Sequence, residues 1–360
     1  MAELTIKEMS NVSEVDKELE EIVNKQKAKI RVFGIGGSGN NTLTRIKEVG
    51  IKGAVTIAVN TDAQDLLYTS ADDKILIGRE LTQGNGAGSN PKIGEEAAHE
   101  SEHQLKERVQ GADMVFITCG LGGGTGTGAA PVIAEIARKM GILTIGVVTL
   151  PFSIEGNKRY ENAMYGLERM ESYVDTLVVI PNDKLLELAP ELPMHTAFKI
   201  ADEILTNAVK GTTELVTKPG LVNLDFADIK AVMCGGGVSL IGVGESDSQE
   251  RAAEAVEKAL ENPLLDVDVQ GATGALVNIM GGSDLSLKEA KQVIEAVSTK
   301  LSPDAKLIWG AQISEDMEKT LKVMLIVTGV KSSQIFGSGE TARDKKSREL
   351  GDELGIEFVE

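Results

Sequence analysis

The sequence predicts a doubly wound α/β domain with a parallel sheet, followed by one long helix and a smaller α+β domain. Short β-branched apolar runs alternate with longer segments of helical period in the first half of the chain. This alternation is typical of parallel strands joined by crossover helices. Beyond residue 194 it gives way to one uninterrupted helical pattern and then to further strands. A chain of 360 residues is long enough for roughly two such domains.

Six apolar runs are the predicted strands of the first domain, at residues 30–33, 54–59, 75–77, 114–118, 142–148 and 177–180. Apolar positions then keep helical spacing from residue 194 to 217, where Pro219 and Gly220 end the pattern. At 1.5 Å per residue this helix would be about 35 Å long, enough to connect two domains.

The second domain is predicted to be smaller and mixed. Its expected strands are residues 229–233, 274–280, 306–309 and 323–327, and its expected helices are residues 249–261 and 286–300. The chain therefore divides into an N-terminal helical extension (1–27), a first domain (28–193), a central helix (194–218), a C-terminal domain (219–330) and a tail (331–360).

Composition excludes several classes of function. Asp and Glu number 55 against 37 Lys and Arg, and the net charge of −18 opposes binding to nucleic acid or to an anionic bilayer. No apolar run approaches the roughly 18 residues of a membrane span, and no signal peptide is evident, so we expect a cytoplasmic protein without membrane insertion. Cys119 and Cys234 lie on separate predicted strands and are expected to be small core residues.

A first glycine-rich turn, Gly-Ile-Gly-Gly-Ser-Gly at residues 34–39, follows the first strand and opens a helix. This pattern matches the dinucleotide fingerprint, and Asp62 follows at roughly the spacing of a ribose-binding acid. By itself the turn favours a nicotinamide or flavin site, so an NAD(P) oxidoreductase of the Rossmann type is one open interpretation.

A second turn, Gly-Leu-Gly-Gly-Gly-Thr-Gly-Thr-Gly at residues 120–128, changes that balance. Glycines let the backbone turn its N–H groups toward one centre, and the following helix adds its positive end. Two phosphate-binding turns at one sheet edge suit a nucleoside di- or triphosphate at least as well as a dinucleotide. Neither turn carries the lysine of a Walker loop.

Residues 122–128 resemble the signature loop of the tubulin superfamily, and more closely that of its FtsZ branch. The segments that agree in order and spacing are 34–41, 60–62, 86–91, 151–156 with Arg159, 181–183 and 223–228. The resemblance extends from about residue 28 to 330, and the residues of the matching segments are most similar to those of archaeal members. It implies a tubulin/FtsZ-like fold and a GTPase that polymerises head to tail, with Mg²⁺ accompanying GTP.

The resemblance also implies which residues contact the nucleotide. They are Gly36, Gly37, Asn41, Gly86, Ala87, Gly88, Asn90, Gly123, Gly124, Thr125, Gly126, Thr127, Glu155, Arg159, Asn182, Phe198 and Asp202. Phe198 and Asp202 are four apart and share one face of the central helix. Phe198 would stack on the base, and the Asp202 carboxylate would accept from N1–H and N2–H of guanine, a pairing that adenine cannot make.

Asn223, Asp225 and Asp228 are the candidate catalytic residues. In the resembled family this loop docks over the nucleotide of the next subunit, so Asp225 and Asp228 would polarise the attacking water there. On pattern alone, the two carboxylates could equally be ordinary acids at the start of a helix. A nucleotide-dependent scaffold that does not hydrolyse GTP is therefore a further open alternative.

A His-Glu-x-x-His pattern at residues 99–103 is typical of zinc peptidases. The surrounding segment is heavily charged, which favours a solvated helix face, and we expect no metal site there. The apolar patch at residues 354–359 is a candidate docking segment for a membrane-anchored division adaptor. Loss of adaptor capture on deleting residues 350–360 would test it. The resemblance further implies cytokinetic rings at mid-cell.

Overall fold

The structure is a computed structural model that describes residues 28–184, 194–217, 220–222, 225–261, 269–314 and 317–330. The predicted N-terminal extension (1–27), the tail (331–360) and Asn223 lie outside the described residues.

Six parallel strands form the first half of the sheet. They are β1 (Ile30–Ile35), β2 (Ala54–Asn60), β3 (Asp73–Leu76), β4 (Met114–Gly120), β5 (Leu143–Leu150) and β6 (Thr176–Pro181). Their order in space is β3-β2-β1-β4-β5-β6, so the sheet grows outward in both directions from β1 and β4. This is a doubly wound order, and the predicted fold class is confirmed.

The helices of this half follow the strands in alternation. They are α1 (Gly36–Val49), α2 (Ala63–Tyr68), α3 (Arg79–Thr82), α4 (Pro91–Glu100), α5 (Glu102–Val109), α6 (Thr125–Lys139) and α7 (Asn157–Tyr173). Apolar side chains of the sheet are buried on both faces, as a parallel sheet requires.

The central helix α8 spans Met194–Thr217. Ala201, Leu205, Ala208 and Val209 are buried at helical spacing, and the last three belong to the core on one face of the sheet. Near the end of the helix the Thr217 hydroxyl donates to the Lys52 carbonyl, just before β2 begins. The helix therefore ends at the amino edge of the sheet.

The C-terminal strands extend the same sheet. They are β7 (Gly237–Ser246), β8 (Ala272–Gly281), β9 (Leu301–Ile313) and β10 (Leu321–Thr328), in the spatial order β7-β10-β8-β9. Strand β7 runs parallel to β6 over three residue pairs, which joins the two halves into a sheet of ten strands. The helices of this half are α9 (Phe226–Met233), α10 (Arg251–Leu260) and α11 (Leu287–Ser298).

One secondary-structure prediction in this half is wrong, and one strand is missed. Residues 229–233 are helical, because Asp225 caps α9 and Ile229, Val232 and Met233 are buried at helical spacing. The sequence also gives no prediction of β7, whose glycines weaken a strand pattern. The structure explains Gly242: a Cβ there would lie 1.9 Å from the Ala259 carbonyl oxygen, so glycine lets α10 pack close to β7.

The two cysteines have different environments. Cys119 is fully buried on β4, and burial raises the pKa of its thiol to about 12. Cys234 follows α9 and is exposed, so the prediction that it is a core residue is wrong. The error follows from assigning residues 229–233 to a strand.

Candidate functional site

A cleft of about 510 Å³ lies at the carboxyl ends of β1, β2, β4 and β5. Of the residues predicted to bind nucleotide, those that line the cleft are Gly36, Gly37, Gly86, Gly123, Gly124, Thr125, Gly126, Glu155, Arg159, Asn182 and Phe198. Ligands bind at this edge of open parallel α/β sheets, where the strand order reverses. The cleft lies at this switch point, because the neighbours β1 and β4 lead outward in opposite directions.

Both glycine-rich turns contribute to one wall of the cleft. Gly36 has a φ of +70°, and a Cβ on it would lie 3.0 Å from the Gly126 nitrogen. Both the backbone conformation and the close approach of the two turns therefore require glycine there. The turns form one continuous surface of backbone rather than two separate sites.

The second turn leads directly into α6, whose N-terminus faces the cleft. Its cap residue is Gly124, which has no side chain to satisfy the first N–H groups of the helix. Thr127 lies inside the turn, where its hydroxyl accepts from the Gly122 N–H at 2.9 Å. Thr125 and Thr61 share a hydroxyl hydrogen bond of 2.7 Å. The threonines thus fix the turn while the helix N-terminus stays open to an anion.

A third loop, residues 86–90, lies beside the two glycine-rich turns. A Cβ on Gly124 would lie 2.9 Å from the Asn90 nitrogen, so this loop packs directly on the second turn. Asn90 caps α4 by accepting from the Lys92 N–H at 3.1 Å. Asn162 donates to the carbonyls of Ser89 and Gly122, at 3.2 and 3.4 Å, and so connects the two loops.

On the opposite side, three polar residues surround the space next to β5 and β6. Arg159 forms an ion pair with Glu155, and the Glu155 carboxylate also accepts from the Phe152 N–H at 2.9 Å. Asn182 is buried, and its Oδ1 atom has no hydrogen-bond partner within the described part of the chain. A buried acceptor at the cleft wall favours a ligand that donates a hydrogen bond.

Two residues of α8 lie at the remaining end of the cleft, where Phe198 belongs to the lining and Asp202 lies just outside it. The Phe198 ring is 40% exposed and contacts Phe152 edge to face, with the ring centroids 5.1 Å apart. One turn further on, Asp202 is half-buried and accepts from the Thr42 hydroxyl at 3.0 Å. Burial raises the pKa of Asp202 to about 6, although Thr42 and Arg45 oppose the shift. This end offers an aromatic plane beside a carboxylate.

The structure places six predicted residues outside the cleft lining, namely Asn41, Ala87, Gly88, Asn90, Thr127 and Asp202. Asn41 is exposed on α1, whereas its neighbour Asn40 is buried and donates to Asp65 at 3.2 Å. The other lining residues are not named individually by the sequence analysis. Ile35, Ser38, Gly120 and Leu121 lie in the two predicted turns, Asn60, Ser89 and Pro151 lie in other segments that carry the resemblance, and Asp65 and Thr149 lie in none of these segments. Most of these residues lie within two residues of a strand's carboxyl end, which is the signal that could have found them.

Asp62, the ribose-binding acid of the oxidoreductase interpretation, has a structural use. Its Oδ1 accepts from the Gln64 and Asp65 N–H groups at 2.9 and 3.0 Å and caps α2. The spacing that suggested a dinucleotide site is therefore explained by a helix cap.

The candidate catalytic carboxylates lie far from this cleft. Asp225 is the exposed cap of α9 and Asp228 lies partly exposed on its first turn, where each accepts from the other's N–H in a capping box. Phe198 at the cleft and Thr217 at the amino edge of the sheet are 19 positions apart on α8, about 28 Å of helix. Asp225 follows beyond that far end.

The two histidines of the His-Glu-x-x-His pattern lie on different helices. Ser101 separates α4 from α5, so His99 and His103 belong to different helices. Across the described ranges, no group of three or more potential metal-ligating side chains is present. Among the described helices, none combines the length and apolar character needed to cross a bilayer.

Two family models match the chain. The model described as Tubulin/FtsZ family, GTPase domain matches residues 29–190, and the model described as FtsZ family, C-terminal domain matches residues 237–331. The first match contains every cleft-lining residue except Phe198, and the second contains strands β7 to β10.

Relatives of similar length agree with the family models. The chain is 61% identical over 344 residues to cell division protein FtsZ 1 of Pyrococcus furiosus, covering 96% of this chain and 92% of that protein. It is 60% identical over 339 residues to cell division protein FtsZ 1 of Methanocaldococcus jannaschii, covering 94% and 93%.

Solved structures show the same architecture. The structure described as an empty FtsZ dimer of M. jannaschii matches with a TM-score of 0.83 at 61% identity, covering 88% of this chain and 93% of that chain. The GDP-bound CetZ1 monomer of Haloferax volcanii matches with a TM-score of 0.73 at 23% identity, covering 91% and 99%, and shows the fold alone. Because the two family models match well over half of the chain and relatives align across nearly all of it, the chain belongs to the Tubulin/FtsZ family, as a GTPase of its FtsZ branch.

Proposed function

We propose that this GTPase binds GTP in the cleft, assembles head to tail into filaments, and hydrolyses GTP at the contact between subunits during cell division. The relatives at about 60% identity are named cell division proteins, and the M. jannaschii relative is described as a dimer. A head-to-tail contact repeats without closing, so it generates a filament rather than a small ring of subunits.

The main support for this proposal is the separation of the cleft from the two candidate catalytic carboxylates. The cleft lies at the carboxyl edge of the sheet. Helix α8 ends at the amino edge, and Asp225 follows it in the chain. Asp225 and Asp228 therefore lie at the opposite end of the subunit from its own cleft. Stacking one subunit on another would bring the two carboxylates of one over the cleft of the next.

Within the cleft, each wall suits one part of a guanine nucleotide. Backbone N–H groups at the start of α6 and in the two glycine turns would bind the phosphates. Glu155 and the buried Asn182 Oδ1 can accept from ribose hydroxyls, and the Arg159 guanidinium can approach the sugar and phosphate. Phe198 and Asp202 would stack on the base and accept from its N1–H and N2–H groups.

Mg²⁺ would enter with the nucleotide rather than occupy a protein-built site. Asp62 and Asp65 line the cleft, but their carboxylates already accept hydrogen bonds from the chain. Mg²⁺ commonly keeps several waters and binds substrate phosphates with few protein ligands, which is compatible with this cleft. When bound, the ion would neutralise charge on the phosphates.

At the contact, Asp225 and Asp228 would orient the attacking water. Each carboxylate uses an oxygen in the capping box, which fixes both side chains at the start of α9 while Asp225 stays exposed and Asp228 partly exposed. Their other oxygens can accept from a water held next to the terminal phosphate of the neighbouring subunit. Hydrolysis would then depend on assembly.

Phosphate release from GTP, measured across a range of protein concentrations with Mg²⁺ present, tests this dependence. We expect the rate per subunit to rise from near zero above a threshold concentration, because the complete site forms only between subunits. A rate per subunit that stays constant on dilution would show that each chain carries its whole catalytic site, and the proposal would be withdrawn.

The preference for GTP over ATP is expected to fall as the pH drops through about 6. Burial raises the pKa of Asp202 to about 6, so the carboxylate can accept two guanine N–H groups above that pH and is protonated below it. The dissociation constant of ATP divided by that of GTP, measured from about pH 8 to 5, checks this. The phosphates of both nucleotides titrate alike, so their protonation cancels in this ratio. Asp202→Asn should show a low ratio at every pH, and a wild-type ratio independent of pH would contradict the assignment.

Two further parts of the proposal concern the cell. Assembly at the mid-cell division site follows from a division role, and fluorescence microscopy of the tagged protein in dividing cells would test it. Docking of a membrane-anchored adaptor on residues 354–359 stays a prediction, because that segment lies outside the described residues.

A further inference from the structure

The Thr42 hydroxyl occupies an unusual position between two acceptors. Thr42 is fully buried on α1, and its Oγ1 lies 3.1 Å from the Ser38 carbonyl oxygen and 3.0 Å from Asp202 Oδ1. A hydroxyl has one proton to donate, so it can serve only one of these acceptors well at a time. The contact between Thr42 and Asp202 joins residues 160 positions apart and links α1 to α8.

We propose that Thr42 is a positioning residue for guanine selection, which holds the Asp202 carboxylate ionised and aimed at the base. This inference rests on the proposed guanine-reading role of Asp202. The donated hydrogen bond stabilises the charged carboxylate, and it leaves Oδ2 and the remaining lone pair of Oδ1 for the base.

Apart from Thr42, few neighbouring groups stabilise the ionised form of Asp202. Helix α1 and strand β5 pack against α8, and β5 contains no charged residue. On α1, Arg45 favours the ionised carboxylate but is half-exposed and bonded to Glu48, and Lys47 pairs with Asp72. On α8 itself, Lys199 and Glu203 are exposed. The buried Thr42 hydroxyl is therefore the principal neutral donor that counteracts the rise in the pKa of Asp202 caused by burial.

A protonated Asp202 would reverse the hydrogen bond. The carboxyl group would then donate to Thr42 Oγ1, and the Thr42 hydroxyl would donate to the Ser38 carbonyl instead. In that arrangement Asp202 can no longer accept both guanine N–H groups. Thr42 thus links the protonation of Asp202 to Ser38, which itself lines the cleft.

Thr42→Val tests the proposal, since valine keeps the shape and removes the hydroxyl. A lost hydrogen bond to a charged group should move the pH midpoint of the GTP:ATP preference upward by about one unit. With midpoints near 6 and 7, GTP affinity at pH 6 falls about fivefold, while at pH 8 it stays within about twofold. Thr42→Ser, which restores the donor, should return the midpoint toward that of the wild type.

Thr44→Val is the matched control. Thr44 lies on the same helix and donates to the Asn40 carbonyl at 3.1 Å, the same backbone contact that Thr42 makes to Ser38, but it has no bond to Asp202 in the structure. Dissociation constants come from competition of GTP and ATP against a fluorescent GDP analogue. An equal midpoint in Thr42→Val and Thr44→Val would overturn the role of Thr42.

Asp202→Asn separates this inference from the proposed function. If Asp202→Asn leaves the GTP:ATP preference and its pH dependence intact, the guanine-reading role of Asp202 fails and the role of Thr42 fails with it. If Asp202→Asn abolishes the preference but Thr42→Val leaves the midpoint unchanged, only the inference about Thr42 fails.

Discussion

Replacing Asp225 by Asn is expected to lower GTP turnover in the assembled protein by about 10²- to 10⁴-fold. Asparagine is as good a helix cap as aspartate, so α9 should keep its start while the charge that polarises water is lost. Because Asp225 is remote from its own cleft, GTP affinity and assembly should remain. Phosphate release and sedimentation of the same samples measure turnover and assembly together.

Asp225→Ala distinguishes catalysis from capping. Alanine removes both the charge and the cap, which costs about 1 kcal/mol of stability, so its thermal midpoint should fall while that of Asp225→Asn should not. Both variants should lose turnover to a similar extent. Turnover that survives in Asp225→Asn and falls only in Asp225→Ala would assign Asp225 a structural role, and would favour other groups as the water-orienting residues.

Gly123→Asp is expected to abolish nucleotide binding without disturbing the fold. Gly123 lines the cleft, and apart from Gly123 itself and its two chain neighbours, no heavy atom of the described chain lies within 4 Å of the position that a Cβ would take. An added carboxylate about 5 Å from a phosphate, at an effective dielectric constant of about 20, repels it by about 3 kcal/mol. GTP affinity should therefore fall by about 100-fold or more, as measured by competition against a fluorescent GDP analogue.

Gly123→Ala is the control for this substitution, because it adds the Cβ without the charge. We expect its GTP affinity to stay within about tenfold of the wild type, since the added atom meets open space. Equal affinity of Gly123→Asp and the wild type would exclude phosphate binding beside this turn. An equally large loss in both variants would mean that the turn tolerates no Cβ once nucleotide is bound.

Mixing the two inactive variants provides a direct test of a shared site. Asp225→Asn retains an intact cleft, and Gly123→Asp retains an intact Asp225, so a contact between them contains one complete site. We expect phosphate release from the mixture even though each variant alone is nearly inactive. Sites that are complete within one chain would leave the mixture as inactive as its components.

The sequence predicts the first half of the fold well because its signals are local. Each of the first six strands is an apolar run bounded by glycine or polar residues, and the runs overlap β1 to β6. The prediction fails at residues 229–233, which read as a strand until the capping box of Asp225 and Asp228 is recognised. It also fails at β7, where glycine is required by the approach of α10 rather than by the strand itself.

Some features of the candidate site could likewise be predicted from local sequence, whereas others could not. Gly36, Gly123 and Gly126 are predicted from the turns alone, because a dense run of glycine after a strand is rare without a phosphate to bind. Two features depend instead on which distant elements meet: the buried Oδ1 of Asn182, which has no hydrogen-bond partner in the described chain, and the contact of Thr42 with Asp202. Asp62 has the spacing of a ribose acid but caps α2, and only its hydrogen bonds decide between the two uses.

The sequence alone predicts the alternation of strands and helices, the two glycine-rich turns and the membership of the FtsZ branch that its motifs imply. These properties depend on residue type and spacing along the chain. Tertiary structure alone decided that β7 joins both halves into one sheet, that Thr42 meets Asp202, and that Asp225 lies at the far end from the cleft. The physical reason is that each of these depends on packing between segments far apart in the chain, and the residues of one segment do not encode the position of the other.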